Sequence, residues 1–108
     1  MGRNSKDNSL TRYEELVKIS IRYNDYLRHP LKLGFASRSN REVAQAVKYV
    51  NKVKKVLKGL AKEDKSIIMK EFFSYKGDPF WWVKYYTKST YYHRRFYAIK
   101  SFMEMYAK

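Results

Sequence analysis

Apolar residues recur along this chain in steps of three and four, the spacing of one face of an α-helix, and turn-forming residues break the pattern at a few points. The first such stretch predicts a helix from Thr11 to Leu27 with Tyr13, Leu16, Val17, Ile19, Ile21 and Tyr23 as its apolar positions. Thr11 and Glu14 have capping-box spacing, so residues 1–10 are expected to form a flexible N-terminus. The stretch from His29 to Asn40 holds Pro30, Gly34, Ser37 and Ser39 and reads as a connecting loop. Ser39 or Asn40 then caps a helix from Arg41 to Lys58. Val43, Val47, Val50, Val53 or Ala46, Val56, Leu57 and Leu60 form its stripe, while Lys48, Lys52, Lys55 and Lys58 fall on other faces. Gly59 marks its end.

A third helix is predicted from Lys62 to Tyr75, turning Ile67, Ile68, Phe72 and Phe73 inward. Glu63 and Asp64 fall in its first turn, where the helix dipole favours acids. Gly77-Asp78-Pro79 is the sharpest punctuation: Gly77 suits a left-handed residue, Asp78 an N-cap and Pro79 a first helical position. A short fourth helix from Pro79 to Tyr86 follows, then a break at Thr87 and a last helix from Lys88 to Tyr106. The expected fold is all-α, four to five helices in a single domain spanning 11–108, with a helix-turn-helix at about 79–107. In the last helix, Tyr91, Ala98, Phe102 and Met105 share a narrow inner stripe, and Ala98 is small enough to admit a close neighbour. Ser89, His93, Phe96 and Lys100 share the opposite face with Tyr92 beside them. Arg94 and Arg95 flank the stripe and are expected to run outward along its edges.

Charge changes the picture from a fold to a function. The 108 residues carry 24 Lys and Arg against 10 Asp and Glu, a formal net charge of +14. Such a field attracts polyanions, nucleic acid or an anionic membrane surface. The first ten residues lack the apolar core of a signal peptide, and no run approaches the ~20 apolar residues of a membrane span. Nucleic acid is therefore the expected partner, in the cytoplasm, with no membrane. Between Lys76 and Met103 six basic residues face a single acid, Asp78, so affinity is expected to fall steeply with salt.

The chain has no cysteine, which removes disulfides, thiolate metal sites and cysteine nucleophiles. His29 and His93 are its only histidines, and no carboxylate cluster accompanies them. With neither a ligand set nor a phosphate-binding glycine loop, no metal, cofactor or enzyme activity is expected. Trp81, Trp82, Tyr85, Tyr86, Tyr91 and Tyr92, interleaved with lysines, admit stacking on single-stranded bases, but core packing is the commoner use of such rings.

The segment from Trp81 to Lys108 resembles the end of the ArpU-type phage late transcriptional regulators, whose helix-turn-helix is similar to region 4 of bacterial sigma factors. Thr87 matches the cap, Ser89-Thr90-Tyr91-Tyr92 the opening, Arg94-Arg95 the basic pair, and Ala98 and Phe102 the packing positions. The helix from Leu60 to Phe73 is similar to the support helix of that family, and the resemblance covers about residues 41–107. The first helix of the pair departs from it, reading Phe80-Trp81-Trp82-Val83-Lys84-Tyr85-Tyr86, more aromatic than is usual there. The resemblance implies control of phage or mobile-element genes, above all late genes.

The expected function is thus sequence-specific binding of double-stranded DNA for transcription regulation. Lys88, Ser89, Tyr92 and His93 are the candidates for base edges. Lys84, Arg94, Arg95 and Lys100 are the candidates for phosphate. A homodimer on paired half-sites is a further expectation, as is contact with RNA polymerase. The alternatives are a module docking on polymerase or another acidic partner, and a general single-stranded nucleic-acid binder.

Overall fold

A computed structural model describes residues 3–28, 40–74 and 77–108. Among them are four α-helices and no strand: α1 (Arg3–Arg28), α2 (Asn40–Gly59), α3 (Lys62–Ile68) and α4 (Lys88–Tyr106). The chain is all-α, as its periodicity predicts. The loop expected from His29 onward lies outside the described residues up to position 39.

Helix α4 is the hub, because α1, α2 and α3 all pack against it. Its inner face buries Tyr91, Ala98, Ile99 and Phe102. Of the four residues assigned to that face, Met105 is only half-buried, and Ile99 takes a buried place instead. Helix α2 contributes Ala46, Val53, Val56 and Leu57, followed by Leu60 beyond its end. Helix α1 contributes Leu16, Ile19 and Tyr23, with buried Ser20 between them donating to the Val17 carbonyl at 2.8 Å. That internal bond lets a hydroxyl sit in an apolar seam. Ile21, grouped with the apolar positions by type, points outward.

Three boundaries differ from the sequence reading, each for a physical reason. Helix α1 starts at Arg3, so Thr11 lies within the helix and the Thr11–Glu14 capping box does not form. No Pro or Gly interrupts positions 3–10, and extending a helix already anchored by tertiary packing adds a hydrogen bond for each residue fixed. The third helix is α-helical only to Ile68 and continues as a π-helix, Met69–Phe73, before Ser74 turns extended. Ile68 and Phe73 are both buried yet five residues apart, and the wider i→i+5 turn brings such positions toward one face. Phe73 thereby meets Tyr23 edge-on at 5.3 Å and Phe102 at 6.1 Å.

The third difference concerns the predicted helix from Pro79 to Tyr86, which is a 3₁₀ turn, Trp81–Lys84. Asp78 is not its N-cap: that position is Phe80, with no side-chain bond, and Asp78 forms an Asx turn just before it, its Oδ1 accepting from the Phe80 amide at 2.9 Å. Gly77 is not left-handed, and a side chain there would press on the Ser74 Cβ and backbone. The tighter winding follows from the residues: Trp81, Trp82 and Tyr86 all turn toward Tyr91, an arrangement without the three-and-four spacing of an α-helical face. The element before α4 is thus a 3₁₀ turn where the expected helix-turn-helix has its first α-helix, and that motif is not confirmed.

Candidate nucleic-acid interface

The start of α4 is fixed by Thr87. Its Oγ1 accepts from the Thr90 amide at 3.3 Å, its hydroxyl lies 2.9 Å from that of Thr90, and its carbonyl accepts from the Tyr91 amide at 2.8 Å. One turn on, Tyr91 is 1% exposed and enclosed by rings. Trp82 stacks on it at 4.6 Å with planes 4° apart, while Trp81 meets it edge-on at 5.7 Å and Tyr86 tilts against it at 5.7 Å. Stacked and edge-to-face pairs of this kind hold geometry as well as area. The first turns of α4 are thus clamped from one side by the aromatic stretch 81–86.

The same turns are tied by carboxylates to α3 and to the π-turn that continues it. The Tyr91 hydroxyl donates to Glu71, which also takes Arg95 Nη1 at 3.3 Å. The Tyr86 hydroxyl donates to Glu63 Oε2 at 2.7 Å, and Arg94 Nη2 reaches Glu63 Oε1 at 2.5 Å and Asp64 at 3.7 Å. The Arg95 guanidinium also lies 5.0 Å from the Tyr13 ring of α1 and 4.7 Å from that of Tyr92. Burial first, and then the bond to Glu71, push the Tyr91 hydroxyl's pKa far above its ordinary value. For Tyr86 the bond to Glu63 is the leading cause of a rise. Both hydroxyls therefore stay protonated and donating through neutral pH.

The outward course expected of Arg94 and Arg95 is corrected by this arrangement. Arg94 turns to Glu63 and Asp64 of α3 and Arg95 to Glu71 of the π-turn, and both side chains remain only partly open to solvent. Among the other candidates, Lys84, Lys88, Ser89 and His93 are exposed and Lys100 is partly so. Tyr92, Phe96 and Tyr97 are 42%, 39% and 44% exposed, with His93 edge-on to Tyr97 at 5.0 Å. Ser89, Tyr92, His93, Phe96 and Lys100 thus share the solvent face of α4, which carries no acid before Glu104. Lys84 ends the 3₁₀ turn and Lys88 opens α4, so both stand at the same end of the helix.

Beside this face lies a groove of about 500 Å³ between α1 and α4, lined by Leu10, Arg12, Tyr13, Tyr92, Arg95, Phe96 and Ile99. Sequence reasoning missed Glu71 and Tyr13, and it assigned Glu63 and Asp64 only to dipole complementation. Those residues meet α4 across separations of 20 residues and more, for which periodicity carries no signal. No described helix is long and apolar enough to cross a membrane. The chain matches no protein-family model, no curated protein and no solved structure.

Proposed function

We propose that this chain binds double-stranded DNA sequence-specifically through the solvent face of α4 and regulates transcription. The observation that carries the reading is the character of that face. It is a helix surface of Ser89, Tyr92, His93, Phe96 and Lys100, opened by Lys88, with no carboxylate over its first four turns. Its first turn is held by an N-cap, an aromatic clamp and two carboxylate ties. A reading helix needs such rigidity, because base-edge contacts are made by its N-terminal turns within the major groove. Lys88, Ser89 and His93 supply donors and acceptors for base edges, and the exposed rings supply apolar contact for thymine methyls. Lys84, Lys88 and Lys100 supply phosphate contacts, while Arg94 and Arg95 orient the helix. The resemblance to ArpU-type regulators extends the proposal to phage or mobile-element late genes.

A second reading is favoured by one observation, the groove between α1 and α4 with exposed Leu10 and Phe96 at its rim. Such a cleft suits a protein partner, RNA polymerase or a second copy of this chain. Single-strand stacking has less support, since Trp81, Trp82 and Tyr91 are engaged with one another.

Selection from a random duplex pool, with sequencing of the bound fraction, tests the proposal. A recovered motif that is lost on Lys88→Ala, Tyr92→Ala and His93→Ala substitution is the expected result. The absence of any enriched sequence refutes it, and a symmetric motif reports a dimer.

A further inference from the structure

Neutralising Arg94 and Arg95 within the fold leaves open where the chain's positive charge meets solvent. Helix α2 holds the densest answer. Arg41, Lys48, Lys52, Lys55 and Lys58 are all exposed. At 100° per residue they lie on the side of α2 opposite Val53, Leu57 and Ala46, which enter the core. The sole acid of the helix, Glu42, lies off this stripe. None of the five is placed in an ion pair among the described residues, and the Lys52 ammonium stands 4.1 Å over the Tyr106 ring. From Lys48 to Lys58 the stripe runs about 15 Å at 1.5 Å per residue, the axial length of four to five phosphates on one strand of a duplex at about 3.4 Å each.

We infer that the outer face of α2 is a second contact surface, one that binds the phosphate backbone of duplex DNA. The inference rests on the proposed function and moves much of its electrostatic share from α4 to α2. Charge complementarity selects the partner: the stripe is cationic, without an ion pair among the described residues, and spaced for a linear polyanion. An anionic membrane fits less well. Interfacial helices insert an apolar face, and most of the apolar face of α2 is consumed by the core, leaving only Val47 of its large apolar residues exposed.

The test uses the full chain and a duplex of about 30 base pairs, with affinity measured across a salt series. Each phosphate neutralised contributes about 0.9 to the slope of log affinity against log salt. Replacing Lys48, Lys52, Lys55 and Lys58 together by Gln is expected to reduce the slope by about 3.6 if each meets one phosphate. The thermal midpoint should stay unchanged and base preference should be retained. A control chain with Lys18, Lys62, Lys65 and Lys108 changed to Gln carries the same net charge and should keep most of the wild-type slope. Wild-type slope in the α2 variant, or equal losses in the two chains, overturns the inference while leaving duplex binding intact. Failure of the wild-type chain to bind duplex at all overturns the proposed function instead. Transfer of the α2-dependent binding to an acidic protein or to single strands, with duplex affinity unaffected, also overturns the inference.

Discussion

Glu71 is the residue whose removal the packing around α4 makes most informative. Its carboxylate accepts from the Tyr91 hydroxyl and pairs with Arg95 at 3.3 Å. Replacement by Ala strands the hydroxyl of a side chain that is 1% exposed, and an orphaned buried donor costs about 1–3 kcal/mol. The Arg95 pair has 22% of each side chain exposed. Solvent screening therefore holds its share to about 0.5–1 kcal/mol, toward the value for surface pairs. The sum is about 1.5–4 kcal/mol, which at about 4–8 °C per kcal/mol for a domain of this size corresponds to a fall of about 6–30 °C in the melting midpoint.

Two controls separate the terms. Glu71→Gln keeps an oxygen for the Tyr91 hydroxyl and should lose less than about 1 kcal/mol. Glu71→Ala made in a Tyr91→Phe background has no hydroxyl to orphan, so its cost should fall to the Arg95 share of about 1 kcal/mol or less. Urea unfolding of the five chains (wild type, Glu71→Ala, Glu71→Gln, Tyr91→Phe and the double variant) measures each quantity. A loss below about 0.5 kcal/mol for Glu71→Ala, or equal losses in both backgrounds, would refute the claim that this bond bolts α4 to the π-turn of the preceding helix.

Alkaline pH gives an independent reading of the same hydroxyl. Tyr91 is held protonated by burial and by Glu71, so the unfolded chain ionises first, near pH 10. Its stabilisation is complete below that pH and is lost as pH rises above it, by about 1.4 kcal/mol per pH unit for one proton. Unfolding monitored between pH 9 and 11 should therefore fall less steeply for Tyr91→Phe than for the wild-type chain, and parallel curves would contradict the assigned cause. Ala98→Leu tests the closeness of packing on α4: Ala98 is 0% exposed in the central cluster, and overfilling should cost about 1–3 kcal/mol in urea unfolding. An unchanged midpoint would mean that the core yields there at no cost.

What the sequence discloses and what it withholds divide along a physical line. Helix α4 runs from Lys88 to Tyr106 as predicted, because its signals are local: Thr87 as a cap, and an inner stripe at Tyr91, Ala98 and Phe102. Helix α2 was legible for the same reason, with its valine stripe and closing Gly59. The aromatic stretch 80–86 was not, since consecutive large rings satisfy no single period. Their winding is chosen by Tyr91, a neighbour that belongs to the next helix. The fates of Arg94 and Arg95 were hidden for a related reason. An arginine at the edge of an apolar stripe can reach solvent or fold back to an acid, and the deciding acids lie 24 and 31 residues upstream.

That hidden pairing bears directly on function. A net charge of +14 is a property of the whole chain, but a duplex meets only charges that have no partner already. On α4 the two arginines are committed to Glu63, Asp64 and Glu71, so the helix is left with hydroxyls, an imidazole, rings and a few lysines. This composition suits discrimination between bases better than raw attraction. On α2 the lysines form no ion pair among the described residues and lie on an exposed, predominantly polar face, which suits attraction better than discrimination. On the proposed reading, Glu63 and Asp64 of α3 and Glu71 of the π-turn divide the labour between the two surfaces: by holding Arg94 and Arg95 they would fix the direction of the reading helix and move the weight of phosphate binding to α2. Freeing those arginines should then strengthen non-specific binding while blurring base preference. Glu63→Gln, which keeps an acceptor for Tyr86 but removes a charge from Arg94, is the variant in which that trade is to be sought, by comparing affinities for selected and scrambled duplexes. Tighter binding to both with a reduced ratio between them is the expected result, and an unchanged ratio would show that Arg94 has no part in aiming α4.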